Sequence, residues 1–493
     1  MEMTDRMSQI KKTIRRLVYC AIILTPFVYL PYFPGLLHSM GLAGSFYPLA
    51  IALLLWVWMI FKNRKLRIPK NLSAEIFAIF ILWIMASALA NTGAIAHSHT
   101  KGISGIEKLL LQCLLLGFVS LCSLMVYEAG LYAPDFLKHV RTCVLVSVLL
   151  AGCYSMLECI GIYYGPNSWA FLKIHSLSAW IFFSPVNAPS HRLTSVCGQS
   201  SWFGMYAGFA LPWLFSYVFT EKRLLWVYFG LCTYFISLTV LAISRTAYAV
   251  AFAEIFIFLI GLILGGRNIP WKRSFLLLAA VLLALLMTTT IFGTKAYSGY
   301  DSMASMPSSL RKIAERELSP LSASALPPTK NGSNAGRFGS QLAALRMAVS
   351  RPIFGVGLAQ YGFYMSSYFP RQMLDDESRG WLSTAPGSSW PDSYNIHIRI
   401  AAEQGFVGLG LWCLLWITLI WRCFVCYREN TRLIGKPDFL GLALLTAIIG
   451  VLLGGFSDGT FRFFTYWIVL GLGWTYMETR SCPEKICRTP AGL

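Results

Sequence analysis

Residues 224–265 read LLWVYFGLCTYFISLTVLAI, then SR, then TAYAVAFAEIFIFLIGLILG. Two apolar runs meet at Ser244 and Arg245, and within the runs Glu254 is the one charged side chain. A helix needs about 20 apolar residues to cross the hydrocarbon core of a bilayer, and a segment survives there by closing its backbone hydrogen bonds internally. The stretch therefore reads as two membrane-spanning helices joined by a tight turn that carries an arginine.

The same pattern extends in both directions. The chain has 493 residues, of which 56% are hydrophobic and 13% charged, and its mean hydropathy is +0.59. That is too little charge to cover a soluble globule of this size, so soluble single-domain classes are excluded. Apolar windows fall at 17–37, 41–61, 72–90, 109–127, 143–164, 201–219, 224–243, 246–265, 274–292, 406–426, 439–456 and 463–477. The expected fold is an all-α polytopic membrane protein of about twelve transmembrane helices. The first window is too long, and too poor in small residues at its end, for a cleaved signal peptide, so it is expected to be retained. The 13 cysteines lie almost entirely in or beside apolar runs, where cysteine behaves as a small hydrophobe and implies no disulfide framework.

The net charge of +19 is read as topology rather than as nucleic-acid binding, because Lys and Arg in short loops stay on the cytoplasmic side. Lys62, Arg64, Lys65, Arg67 and Lys70 crowd one such loop, whereas the short loops on the other side hold only Lys101, Lys108, Lys173, Arg192, Arg245 and Arg462. Both termini are therefore expected in the cytoplasm. The chain divides into spans one to nine (1–292), a large outer loop with amphipathic helices (293–405), spans ten to twelve (406–477) and a cytoplasmic tail (478–493). Within the loop, 307–339 is rich in Ser, Pro and Gly. Beyond Arg337, the residues Phe338, Leu342, Leu345 and Val349 recur at helical spacing until Pro352, which predicts an amphipathic helix near the outer membrane surface.

Ionisable groups at apolar spans carry most information, since each costs roughly 2.5 to 3.5 kcal/mol at a helix centre on insertion scales. Arg192, Arg245, Arg337 and Arg399 all fall on the outer side. Arginine stays charged and binds phosphate oxygens bidentately, so the group is a candidate site for a membrane anion such as a lipid pyrophosphate. The competing reading is that each arginine reaches for lipid headgroups. The stretch 392–408, DSYNIHIRIAAEQGFVG, is the second candidate. On a helix Asn395, Arg399 and Glu403 follow at intervals of four, and Tyr394 and His397 at three. An ordinary helix capped by Asp392 or Ser393 is the alternative.

Four ordered segments resemble the bacterial O-antigen polymerase and O-antigen ligase superfamily. They are His191-Arg192-Leu193 through Gln199 and Gly204 to Leu211-Pro212; Ser244-Arg245-Thr246-Ala247; Gly336-Arg337 through Arg351-Pro352-Ile353-Phe354-Gly355-Val356-Gly357 to Tyr361; and 394–408. Tyr394 stands where the family's ligases usually carry histidine, and Gln199 where relatives often have an acid. The resemblance implies a GT-C-like inner-membrane glycosyltransferase with a periplasmic active site. Its partners would be a polyprenyl-pyrophosphate-linked oligosaccharide, membrane lipid and a chain-length regulator protein. Arg192, Arg245, Arg337 and Arg399 would hold the pyrophosphate, Asn395 would contact substrate, and His397, Tyr394 and Glu403 would serve the acceptor hydroxyl. The outer loops hold no Asp-x-Asp cluster, so neither metal nor cofactor is expected. A ligase that passes glycan to lipid A core or protein is the alternative chemistry. A glycolipid flippase using Glu158 and Glu254 is the alternative class. Gly355-Val356-Gly357 is read as a tight turn rather than a nucleotide loop, and zinc at Cys423, Cys426, Cys482 and Cys487 is discounted.

Overall fold

The computed structural model describes residues 2–28, 43–164, 192–266, 269–297 and 334–480, with 168, 169, 172, 173 and 176. His191, the stretch 307–333, and Cys482 and Cys487 lie outside the described residues. The elements in chain order are α1 (Glu2–Ile23), α2 (Phe46–Asn63), α3 (Leu72–Ala90), α4 (Thr92–His97), a hairpin of two-residue strands β1 (His99–Thr100) and β2 (Ile103–Ser104), α5 (Gly105–Leu131), α6 (Phe136–Tyr164), α7 (Ser200–Thr220), α8 (Leu225–Leu241), α9 (Arg245–Gly265), α10 (Trp271–Tyr297), α11 (Asn334–Ser350), α12 (Tyr361–Tyr368), α13 (Asp376–Leu382), α14 (Ile396–Ile434), α15 (Phe439–Gly454) and α16 (Phe464–Arg480).

Seven of these helices, α2, α3, α5, α6, α9, α10 and α14, are long and apolar enough to cross a membrane, and α8 and α15 are shorter apolar helices. The chain is thus a helical, multi-pass membrane protein. Helices occupy the sequence windows from the second onward, and α3 coincides with 72–90 end to end. Of the first window, 29–37 lie outside the described residues. Helix α1 starts at Glu2 and ends at Ile23, and its buried stripe is Ile14, Val18, Ala21 and Ile22. Arg6, Lys11, Lys12, Arg15 and Arg16 dilute any hydropathy average there, so the amphipathic period is what marks this helix.

The centre of the bundle is α7, buried without interruption from Phe203 to Phe219. It packs against α8, α9 and α15, while α16 packs against α5. Gly204 permits the closest approach: a Cβ there would come within 2.8 Å of the Ala247 Cβ, so the N-terminal turns of α7 and α9 lie almost in backbone contact. The outer helices turn large apolar side chains outward, among them Trp58 and Phe61 on α2, Phe252 and Phe256 on α9, and Leu282 and Leu286 on α10. Such an apolar periphery is what hydrocarbon solvates and water does not.

A second layer caps the end of the bundle where α3, α8 and α15 finish and α5, α7, α9, α14 and α16 begin. Its small core joins Ala343, Ala344 and Met347 of α11 to Val356, Tyr361, Met365, Phe369 and Trp381, seated on Ala402. Helix α11 ends before Pro352 as the sequence predicts, and its small residues and its large apolar ones fall on different faces. Ser340, Ala343, Ala344, Met347 and Ala348 are buried while Phe338, Leu345 and Val349 are exposed, because small residues let α11 settle closely on α14.

That seat depends on a break in α14. Gly405 has φ 71° and ψ −179°, a conformation open essentially to glycine alone. The carbonyls freed by the break find other donors: Val356 N–H and Gly357 N–H reach the Ala402 and Glu403 carbonyls at 2.9 Å each, and the Trp83 indole reaches the Gln404 carbonyl at 3.0 Å. The Pro352 carbonyl in turn accepts from Phe406 N–H at 2.7 Å. The turn 352–357 is therefore stitched into the broken helix.

Candidate anion site at one end of the bundle

Three of the four candidate arginines converge. Arg192, Arg245 and Arg337 line one cavity of about 700 Å³ together with Gln199, Ser201, Ser244, Tyr248, Tyr394 and Ser457. Among the described residues no carboxylate lines it. Each arginine arrives by a different route.

Arg245 is the first residue of α9, whose N-cap is Ser244, accepting from Ala247 N–H. Its side chain is exposed. Arg192 precedes a segment fixed by Glu158, whose carboxylate accepts from Thr194 N–H at 2.8 Å, Thr194 Oγ1 at 2.9 Å and Ser195 N–H at 2.7 Å. Leu193 N–H donates to the Leu241 carbonyl at 3.0 Å, which ties Arg192 to the end of α8 and so to the Arg245 turn. Arg337 rides on the first turn of α11, held by Gly336 N–H donating to Asp375 at 2.7 Å. Its guanidinium lies 4.7 Å from the Tyr394 ring centre and 3.6 Å from the Glu377 carboxylate.

Two helix N-termini also point here. Helix α7 begins at Ser200 with no side-chain cap, which leaves its first amides for another acceptor, and α9 begins beside it. A helix N-terminus carries partial positive charge and unsatisfied N–H groups, a ready site for phosphate oxygens. Backbone strain gathers at the same place: Ile243 (φ 44°) and Tyr394 (φ 51°) line the cavity in the left-handed region, and Ser195 (φ 52°) is next to it. Side chains with a Cβ enter that region at a cost and cluster at functional sites.

The remaining candidates are placed differently. Tyr394 is outside any helix and its hydroxyl donates to Glu377 at 2.8 Å. The nearby carboxylate and burial raise its ionisation well above the ordinary tyrosine range. Asn395, not Asp392 or Ser393, is the N-cap of α14, its side chain accepting from His397 N–H and Ile398 N–H. The shared helical face expected for Tyr394, Asn395 and His397 therefore does not form, because the helix starts at Ile396. The pairing of Arg399 with Glu403 does form, at 3.0 Å. Glu403 also accepts from Ala359 N–H at 3.0 Å and Tyr361 N–H at 3.3 Å, which makes it a staple for the turn before α12. His397 accepts from the Trp412 indole at 3.1 Å and meets the Leu452 carbonyl at 3.1 Å. Neither His397 nor Glu403 lines the arginine cavity, and Arg399 lines a separate one.

The sequence did not single out Glu377, or Lys101, whose buried ammonium donates to the Gly380, Trp381 and Ser389 carbonyls and pins helix α13, which carries Glu377. Glu158, weighed for a transport path, is instead the anchor of the Arg192 segment. Glu254 is fully buried and packs against Gly450, with neither carboxylate oxygen hydrogen-bonded among the described residues. Cys423 and Cys426 are buried cysteines outside any disulfide among the described residues. Among the described residues, no three His, Cys, Asp or Glu side chains come together as a metal site would require.

The chain matches no family model and no curated protein.

Proposed function

We propose that the protein is an inner-membrane polysaccharide polymerase of the O-antigen type, a GT-C-like glycosyltransferase with about twelve spans and cytoplasmic termini. It would transfer a glycan from a polyprenyl-pyrophosphate carrier to a hydroxyl of another lipid-linked repeat unit at the periplasmic face, without a metal and with inversion. The observation that carries this reading is the meeting of Arg192, Arg245 and Arg337 with two helix N-termini in a cavity that, among the described residues, no carboxylate lines. A departing lipid pyrophosphate gains negative charge as the glycosidic bond to it breaks, and preorganised donors in that position lower the barrier. Arg337 and Tyr394 sit together at the rim nearest α11, which suits a group that orients the donor.

Support for the periplasmic placement comes from charge. The cavity lies at the opposite end of the bundle from the 62–70 basic cluster, which the positive-inside rule keeps in the cytoplasm.

The test is to delete the gene in its host, complement with wild type or Arg245→Ala, and resolve the surface polysaccharide on a gel. The proposal predicts that the deletion and the variant both leave lipid A core bearing a single repeat, with the variant present in the membrane at wild-type level. Unsubstituted core alongside long carrier-bound polymer would move the assignment to a ligase. Lipid-linked single units trapped on the cytoplasmic face would move it to a flippase.

A further inference from the structure

A second cavity lies behind the arginine cavity, and its chemistry is of another kind. About 270 Å³ in volume, it is lined by two carboxylates, Asp392 and Asp458, facing three cations, Lys108, Arg399 and Arg462, with Trp202 forming an apolar wall. Asp458 is almost wholly buried, yet among the described residues it accepts only from the Trp202 indole at 2.7 Å and from Thr460 N–H at 3.0 Å. A carboxylate offers about four acceptor positions, so roughly half remain for a ligand.

The two cavities adjoin. Along three separate segments, residues one or two positions apart line different cavities: Ser201 lines the arginine cavity and Trp202 the second one, Ser457 and Asp458 divide likewise, and so do Tyr394 and Asp392. A ligand in one cavity therefore lies beside a ligand in the other.

We propose that the second cavity is a carbohydrate-binding subsite that holds the acceptor sugar of the transfer reaction. The inference rests on the polymerase reading above and adds to it the place of the second substrate. The Asp392 carboxylate would repel a pyrophosphate, and three cations would repel a basic ligand. A neutral ring with several hydroxyls satisfies both signs at once, donating to Asp392 and Asp458 and accepting from Lys108, Arg399 and Arg462. The Trp202 indole ring gives its C–H face an apolar surface. Arg399 is held in place for this by Glu403 behind it, at 3.0 Å, which assigns to that pair a positioning role in sugar binding rather than in pyrophosphate binding.

The test uses the full chain in lipid nanodiscs and two probes. Inorganic pyrophosphate is titrated by calorimetry. The single-repeat oligosaccharide, released by mild acid from the host's surface polysaccharide, is followed by saturation-transfer NMR. Asp458→Asn should weaken oligosaccharide binding by up to about tenfold, the loss expected for one buried hydrogen-bonding site, and leave pyrophosphate affinity within about twofold. Arg245→Ala should do the reverse. Asp392→Asn gives the same readout should Asp458→Asn not fold. Unchanged oligosaccharide binding in a folded aspartate variant overturns the acceptor subsite. Unchanged pyrophosphate binding in Arg245→Ala overturns the polymerase reading instead, so the two failures are told apart.

Discussion

His397 has no nitrogen to spare. The Trp412 indole can only donate, so Nδ1 of His397 accepts from it and Nε2 carries the ring proton to the Leu452 carbonyl. The histidine thus joins the two arms of α14 to the end of α15, a structural duty. His397→Gln is expected to lower the transfer rate by less than the roughly hundredfold that loss of a general base brings; a single-turnover assay on purified variant measures it. Asp458 behaves differently. Burial first, and the adjacent Asp392 carboxylate second, push its carboxyl above the ordinary aspartate range, with Arg462 opposing; Arg399 and Lys108 also face it across the cavity. The folded state therefore holds this proton more tightly than the unfolded chain does. Stability from it is complete below the unfolded value of 3.8 and is lost as pH rises toward the folded value. Melting curves should show the wild type losing stability over that window more steeply than Asp458→Asn. Equal slopes would remove Asp458 from the account. Asp458 was within reach of the sequence: an acid two residues beyond the last residue of an apolar window is as costly, and as informative, as Arg245. It was passed over because no motif contains it.

Helix ends, more than helix middles, build this site. Residues 192–199, before α7, have no regular structure beyond one turn of 3-10 helix at Ser195–Cys197, and their shape is imposed by Glu158 from the middle of α6's outer half. Three hydrogen bonds to one carboxylate are lost in Glu158→Ala, each worth roughly 1.5 to 3 kcal/mol when the acceptor is charged. The Arg192 segment should then loosen, and pyrophosphate affinity should fall by about tenfold or more with all three arginines present. A calorimetric titration indistinguishable from wild type would show that Arg192 needs no such anchor. Apolar windows located α2 to α10 well because span length is a composition signal. The start of α14 was not legible in the same way. Asn395 as N-cap and Tyr394 in the left-handed region are set by tertiary contacts with α11 and α13, and these contacts arise from residues more than ten positions away. The Gly405 break was equally hidden, since a lone glycine in a helical pattern gives no sign that a second chain segment will dock on the carbonyls it frees.

At the scale of the molecule, a lipid-facing bundle carries a polar layer at one end, and that layer divides ligand space into an anion side and a hydroxyl side. The bundle was legible in composition and window length. The convergence of Arg192, Arg245 and Arg337 was expected from their common side of the membrane, whereas the separation of Arg399 from them was not. Sequence order alone could not distinguish the two, because Arg399 and Tyr394 are five residues apart and face different cavities. The central claim is that the arginine cavity receives a lipid pyrophosphate leaving group during glycosyl transfer. Purified protein in nanodiscs, supplied in the presence of EDTA with polyprenyl-pyrophosphate-linked repeat units extracted from the deletion host, tests it most directly. The account predicts a ladder of lengthening lipid-linked glycans from the wild type and none from the Arg192→Ala, Arg245→Ala and Arg337→Ala variants, each folded by its melting curve. A wild-type ladder that persists undiminished in all three arginine variants would contradict it.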